Sequence, residues 1–153
     1  MNSMPDLKIK VHTELANKLQ IKLMDLNSMI NDAVSSRDSD TKSSVGDKHE
    51  TSRAKIQIEI DQLCKQLKLT EDQFLSIKSI NLRGNTDVID RGSLVRTNIG
   101  YFFLSVGYGK LVVNNIDFFI LSLASPLGQL LREKKTGDQL IFRGISYIIE
   151  DIV

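Results

Sequence analysis

The first half of the chain carries two stripes of apolar residues at helical spacing. The first stripe repeats every three or four positions and consists of Leu15, Leu19, Leu23, Leu26, Ile30 and Ala33. The second has the same spacing, with one polar member, and consists of Ile56, Ile60, Leu63, Leu67, Thr70, Phe74 and Ile77. Such spacing places each set along one side of an α-helix. We therefore predict two long helices, the first of them capped by Thr13.

A polar connection separates the two stripes, because residues 35–46 are almost purely polar. Two helices joined in this way can bury their stripes against each other as an antiparallel hairpin with coiled-coil packing. The alternative is a compact bundle, but the outward faces are polar and no third amphipathic helix is available to cover them. We predict a hairpin with a projecting polar tip and arms of about 30 residues, or about 45 Å.

The second half has the composition of a β domain. Eight of the nine aromatic residues lie after residue 90, and eight of the nine glycines lie after residue 83. Aromatic residues favour strands, and glycines favour turns. The predicted strands are Leu94–Arg96, Tyr101–Val106, Lys110–Val113, Ile116–Leu123, Gln139–Arg143 and Ser146–Ile152.

One short helix is predicted between these strands, with Ser125 as its N-cap and Pro126 at its first position. The predicted fold class is therefore α+β: an N-terminal antiparallel coiled-coil hairpin, followed by a small antiparallel β domain with one short helix. We assign residues 1–83 to the hairpin with its acidic tip, 84–90 to a linker and 91–153 to the C-terminal domain.

Charge and residue counts exclude several functional classes. Twenty basic residues balance 19 acidic ones, whereas a protein that binds phosphates non-specifically is usually far more basic. Two histidines and one cysteine make neither a zinc cluster nor a nucleophile motif, and we interpret Cys64 as a half-buried structural thiol. The longest apolar stretch, Phe118–Ala124, is too short to span a bilayer. We expect a cytoplasmic protein that does not bind membranes.

Two carboxylates at the tip are the candidate functional groups. Asp47 and Glu50 follow Gly46, the only glycine in the helical half, and lie three positions apart. A capping box at the beginning of the second helix explains them without any further function, and the residues alone favour this interpretation. The alternative is a weak, open site for Mg²⁺, which shares its ligands readily with water and a partner.

Two short motifs carry a resemblance to a known family. At the tip, where the Gre family of bacterial transcription elongation factors has Gly-Asp-Leu-x-Glu-Asn, this chain has Gly46-Asp47-Lys48-His49-Glu50-Thr51. In the C-terminal half the family has a Ser-Pro-hydrophobic-small motif and then a Gly-Asp pair. The corresponding residues here are Ser125-Pro126-Leu127-Gly128 and Gly137-Asp138. The chain thus resembles the Gre transcript cleavage factors over nearly its full length.

The resemblance implies an FKBP-like C-terminal domain that binds RNA polymerase near its secondary channel. The residues implied in that contact are Ser125, Pro126, Leu127 and Gly128. The hairpin would enter the channel, where Asp47 and Glu50 would help to hold a Mg²⁺ shared with polymerase while backtracked RNA is hydrolysed. The factor would act as a monomer and reach the 3′ end of the nascent RNA only indirectly. It would be an accessory factor rather than an enzyme, with no metal bound stably by the free protein.

Two alternatives stay open. Lys48 and Thr51 differ from the Leu and Asn of the family, which leaves room for a Gre-like regulator that binds polymerase without stimulating cleavage. A prolyl isomerase of the FKBP type is suggested only by the inferred fold, and a fold alone does not confer an activity.

Overall fold

The computed structural model describes residues 3–40, 46–84 and 86–153, without the side chains of residues 40 and 46–49. Two long helices packed together are followed by a six-stranded sheet, so the fold is α+β, as predicted. The helices are α1 (Met4–Asp40), α2 (Gly46–Lys78) and α3 (Pro126–Leu131). The strands are β1 (Leu94–Thr97), β2 (Tyr101–Leu104), β3 (Gly109–Val113), β4 (Ile116–Leu121), β5 (Gln139–Phe142) and β6 (Ile145–Ile152).

Helix α1 begins at a capping box that the sequence pattern did not reveal. The hydroxyl of Ser3 donates to the Asp6 carboxylate at 2.7 Å, and the backbone N–H of Asp6 lies 3.3 Å from the Ser3 hydroxyl oxygen. The hydroxyl and backbone N–H of Ser3 hold the pKa of Asp6 below its usual value. Thr13, the predicted cap, lies inside α1, so that prediction is wrong. The apolar stripe begins later than the helix, and the cap residue is determined by the first turn.

The predicted apolar stripes form the contact between α1 and α2. In the compact unit Lys18–Phe74, the buried stripe residues are Leu19, Leu26, Ala33, Ile60, Leu63 and Thr70. Arg37 near the end of α1 donates to Gln57 near the beginning of α2 at 2.8 Å, which fits antiparallel packing. Thr70 satisfies its hydroxyl within its own helix by donating to the Gln66 carbonyl at 2.8 Å. The helical hairpin predicted from the spacing is confirmed.

The other compact unit combines Met1–Asn17 with Leu75–Val153, so it contains the ends of both long helices and the whole sheet. His12 of α1 donates from Nε2 to the carbonyl oxygen of Ile77 in α2 at 2.8 Å. Val11 and Ile77 are completely buried. The boundaries 83/84 and 90/91, which were drawn from composition, stay a prediction about independent domains.

The sheet is mixed, which corrects the antiparallel sheet predicted from the sequence. Its strand order is β3-β4-β2-β1-β6-β5, and β2 pairs with β4 in parallel. The chain leaves β2, forms β3 at the edge and returns between β3 and β2 as β4. That return makes β4 antiparallel to β3 and parallel to β2. The two edges of the sheet are β3 and β5.

Two-residue turns close both edge hairpins. Asn114 and Asn115 join β3 to β4 with φ of 52° and 62°, and Arg143 and Gly144 join β5 to β6 with φ of 51° and 78°. Positive φ at both central residues is typical of type I′ turns, whose twist matches that of the flanking strands.

The core of the sheet unit lies between the strands and α3. Its fully buried members include Val95, Leu104 and Leu131. Ile89 belongs to the same core, and its backbone N–H donates to the Lys134 carbonyl at 2.9 Å. The last part of the predicted linker 84–90 therefore packs with the sheet unit.

The contact between the two apolar stripes is called the seam from here on. Shortening Leu19, which is completely buried between the long helices, tests this seam. We expect Leu19→Ala to lower the free energy of unfolding by about 2 to 3 kcal/mol, because the substitution leaves a cavity in a thin core. Met24 is 66% exposed on the same helix. Met24→Ala is the matched control and is expected to change stability by less than about 0.5 kcal/mol. Denaturant unfolding followed by circular dichroism measures the free energy of unfolding of both variants. An equal loss in the two would contradict the packing of Leu19 in the seam.

Candidate functional site

The tip carboxylates predicted as catalytic and metal-binding residues both belong to the beginning of α2. Asp47 and Glu50 are the second and fifth residues of this helix. Glu50 is exposed, whereas the side chain of Asp47 lies outside the described residues. Residues three positions apart project from the same side of a helix. The backbone of α2 therefore presents the two positions together, and their role as metal ligands stays a prediction.

The Ser125–Gly128 motif forms the tight first turn of α3. Ser125 is the N-cap, as predicted, and its hydroxyl oxygen accepts from the backbone N–H of Gly128 at 3.0 Å. The same hydroxyl donates to the Ser122 carbonyl at 2.6 Å, so it joins the end of β4 to α3. Pro126 occupies the first helical position, where its missing N–H has no helical partner to lose.

Only glycine fits at position 128, because another part of the backbone lies very close to it. A Cβ at this position would lie 2.0 Å from the Ser122 carbonyl oxygen and 2.9 Å from the Leu123 Cα. The third close atom is the Ser125 Oγ at 2.8 Å. No side chain fits there, because real Cβ contacts of this length do not occur and two of the three nearest atoms belong to the main chain. The glycine therefore lets α3 lie directly against the chain that leaves β4.

This turn borders an apolar cavity of about 430 Å³ in the sheet unit. Ser125, Pro126 and Leu127 form one side. The other sides are formed mainly by aromatic and branched residues of the sheet and its loops, namely Ile99, Phe102, Phe119, Ile120, Leu121, Phe142 and Tyr147. Three of the four predicted partner-binding residues thus line the cavity, and Gly128 is buried.

Aromatic packing holds the shape of this cavity. The Phe102 ring lies 5.6 Å from the Phe119 ring and 5.8 Å from the Tyr147 ring, measured between centroids. Phe102 and Tyr147 are buried, whereas Phe119 is 39% exposed. Fixed rings at the base and an exposed ring at the mouth suit the binding of an apolar side chain.

One positively charged side chain lines this cavity. The Arg143 guanidinium lies 5.0 Å from the centre of the Phe142 ring, in a cation–π arrangement. Arg143 is the charged side chain among the described lining residues of the cavity. The site can therefore bind apolar groups and pair with an anionic one, and neither a histidine nor a carboxylate is among its described lining residues.

Other candidate chemistry is sparse in the described part of the chain. Among the side chains described, no three histidine, cysteine, aspartate or glutamate residues lie close enough to hold a metal ion. Cys64 is exposed, so its interpretation as a half-buried thiol is wrong. None of the helices in the ranges 3–40, 46–84 and 86–153 has the length and apolar character needed to cross a membrane. A scan against protein-family models and a search of curated proteins found no match for this chain.

Sequence reasoning found one side of the cavity and missed the other. The sequence places Phe119 and Phe142 in strands, but strand patterns alone do not show that the two rings line a cavity beside Ser125. In β4 the burial alternates, with Phe118 buried and Phe119 exposed. A large aromatic residue on the solvent-facing position of a strand was the available signal.

Replacing Gly128 tests the close approach that positions the turn. We expect Gly128→Ala to destabilise the protein by about 3 kcal/mol or more, because the added methyl group meets a rigid carbonyl. Gly107 is exposed, and a Cβ added there would meet no atom within 4 Å, so Gly107→Ala is the matched control. Thermal unfolding compares them, and a Gly128→Ala protein as stable as the control would refute the contact.

The hydroxyl of Ser125 is tested separately. Ser125→Ala removes the cap of α3 and the bond to Ser122, and we expect a loss of about 1 kcal/mol. Ser125→Asp restores an acceptor for the Gly128 N–H without the donor to Ser122. Denaturant unfolding measures the stability of both variants. If Ser125→Asp recovers about half of the stability lost in Ser125→Ala, the two hydrogen bonds contribute about equally. If Ser125→Ala is as stable as the wild type, neither bond contributes.

Proposed function

We propose that this chain is a Gre-like accessory factor of RNA polymerase that stimulates cleavage of backtracked RNA. In this proposal the sheet with α3 is an FKBP-like domain that docks on polymerase near the secondary channel. The helical hairpin carries Asp47 and Glu50 toward the active centre of polymerase. The chain acts as a monomer in the bacterial cytoplasm, and polymerase itself performs the hydrolysis.

The observation that carries the proposal is the position of Asp47 and Glu50 in the first turns of α2, next to the connection from α1. Helix α2 has 33 residues and α1 has 37, which correspond to about 50 and 55 Å at 1.5 Å per residue. A pair of helices with a single seam is slender enough to enter a channel that excludes a globular domain. An acidic pair at its turn is the chemical group such an arm would deliver.

The apolar cavity supports the docking half of the proposal. Ser125, Pro126 and Leu127 border it, and these are the residues that the family resemblance implies in polymerase binding. An apolar side chain of a partner loop fits a cavity of this volume and lining. Arg143 at the same cavity can pair with a carboxylate of that loop.

The residues at the tip fit a shared Mg²⁺ rather than a site of their own. Asp47 and Glu50 offer carboxylate oxygens, the ligands that Mg²⁺ prefers, but two carboxylates do not complete an octahedral site. The remaining ligands would come from polymerase and water. When bound, the metal ion would supply charge stabilisation for phosphodiester hydrolysis. The contribution of this chain is to bring the two carboxylates to that position.

Neutralising the acidic pair is the decisive test. Asp47→Asn and Glu50→Gln keep the size of each side chain and remove its charge. We expect each to abolish most of the shortening of RNA in a backtracked elongation complex, while binding of polymerase stays nearly unchanged. The double variant is expected to be little worse than either single one, because ligands of one metal act as a unit. Higher Mg²⁺ concentration should partly restore the single variants.

Glu59→Gln provides the matched control, since Glu59 is an exposed carboxylate further along the same helix. If Asp47 and Glu50 serve only as helix caps, their substitution will lower stability modestly and leave RNA cleavage intact. A wild-type protein that binds the backtracked complex but never shortens its RNA would support the non-cleaving regulator instead.

A further inference from the structure

A second cavity, of about 310 Å³, lies within the same compact unit as the sheet. Its lining comes from the first turns of α1, the segment after α2 and the loop before β1. The lining residues that matter here are Lys8, Asn81, Arg91 and Ser93. In contrast to the apolar cavity beside α3, this one is basic.

The side chain of Lys8 is largely covered by the protein, and its ammonium group has no counter-charge among the described residues. The residue is only 4% exposed. Its side chain makes no hydrogen bond or ion pair with any residue in the described ranges. Burial alone lowers the pKa of its ammonium group. A charge that has lost part of its contact with water is stabilised by an anionic partner, because desolvation is costly.

Arg91 supplies a second positive charge at this cavity. Its Nη2 donates to the carbonyl and hydroxyl oxygens of Ser76 and, at 2.8 Å, to the hydroxyl of Ser79. These bonds fix one edge of the guanidinium at the end of α2, where a positive charge is favoured by the helix dipole. Within the described residues its Nε and Nη1 are not used, so the other edge keeps donors for a ligand.

Two neutral side chains of the same lining also offer hydrogen-bond donors. Ser93 is 3% exposed, and its hydroxyl oxygen accepts from the Asp90 backbone N–H at 3.0 Å, which leaves the hydroxyl hydrogen to donate. The Asn81 side-chain oxygen accepts from the Arg83 N–H at 3.0 Å, which leaves its NH₂ group to donate. No carboxylate is among the described residues that line the cavity, and Asp90, next to Arg91, is exposed.

We propose that this cavity is a binding site for the phosphate group of a small molecule, with Lys8 and Arg91 as its two charged contacts. A phosphate carries up to two negative charges and accepts hydrogen bonds on several sides, which matches two cations and two neutral donors around one space. A carboxylate is planar and singly charged, and it would leave one of the cations unbalanced. This inference does not depend on the proposed role in transcription.

Binding is tested on the full-length protein with inorganic phosphate and pyrophosphate as probes. Titration calorimetry measures affinity, and chloride at equal ionic strength corrects for screening. We expect saturable binding by the wild-type protein and a loss of at least about tenfold in Lys8→Met, since a charge-assisted contact is removed. Lys8→Met should unfold at a higher temperature than the wild type without phosphate, because the partly desolvated, unpaired charge is gone. Phosphate should narrow that gap by stabilising the wild type more than the variant.

Lys10→Met, an exposed lysine of the same helix, is the matched control and should bind like the wild type. Tighter binding of pyrophosphate would identify a diphosphate-bearing ligand, and equal binding would identify free phosphate; both support the site. Equal affinity of Lys8→Met and wild type, or acetate binding as tightly as phosphate, would overturn it. If Lys8→Met fails to fold, lysine side-chain NMR of the wild type decides. Phosphate must then shift the Lys8 ammonium signal more than the others, and a uniform response refutes the proposal.

Discussion

The pairing of the two long helices depends on the burial of their ends in the unit that contains the sheet. Val11 and Leu15 of α1 and Ile77 of α2 are completely buried there, and the His12–Ile77 hydrogen bond joins the two helices at the same level. Two helices alone bury little apolar surface, and isolated helices are marginal in water. Because the packed ends already hold α1 and α2 side by side, the remaining parts of the two helices pair at a smaller entropic cost. The seam in Lys18–Phe74 can then be narrow and still specify one arrangement.

The sequence predicted those features that repeat. The seam could be predicted because burial at Leu19, Leu26 and Ala33 recurs with the helical period. All six strands were predicted with ends within two residues of the observed ones, because aromatic and branched residues lie between well-marked turns. Ser125 was recognised as a cap because its role is determined by neighbours in the chain.

Features set by distant parts of the chain were not predicted. The parallel pairing of β2 with β4 depends on which strand takes the edge, and local periodicity carries no such information. The apolar cavity needs Phe119 and Tyr147 from separate strands to meet the turn at Ser125. The covering of the Lys8 side chain is likewise a tertiary property, since a lysine side chain in the first turns of a helix is usually exposed. The tip carboxylates stood out in the sequence, but the residues alone favoured a helix cap, and their proposed role as metal ligands depends on a partner.

The two cavities of the sheet unit have linings of different chemical character. One is apolar with aromatic walls, and the other combines two cations with neutral donors. An apolar site tolerates changes in ionic strength, whereas a site built on unpaired charges weakens as salt rises. Occupants of the two sites can therefore be distinguished by their salt dependence without any change in the protein.

The short edge strand β5 affects how copies of this chain behave when they are crowded together. It has four residues and exposes Ile141 at 72%, so it offers an apolar but very limited template for another strand. The net charge is +1 at pH 7, which gives little mutual repulsion between molecules. Both edge strands are short, at five residues in β3 and four in β5, which limits strand-to-strand pairing between copies where net charge adds little repulsion. Buffers away from the isoelectric point of about 7.8 add the repulsion that the sequence lacks.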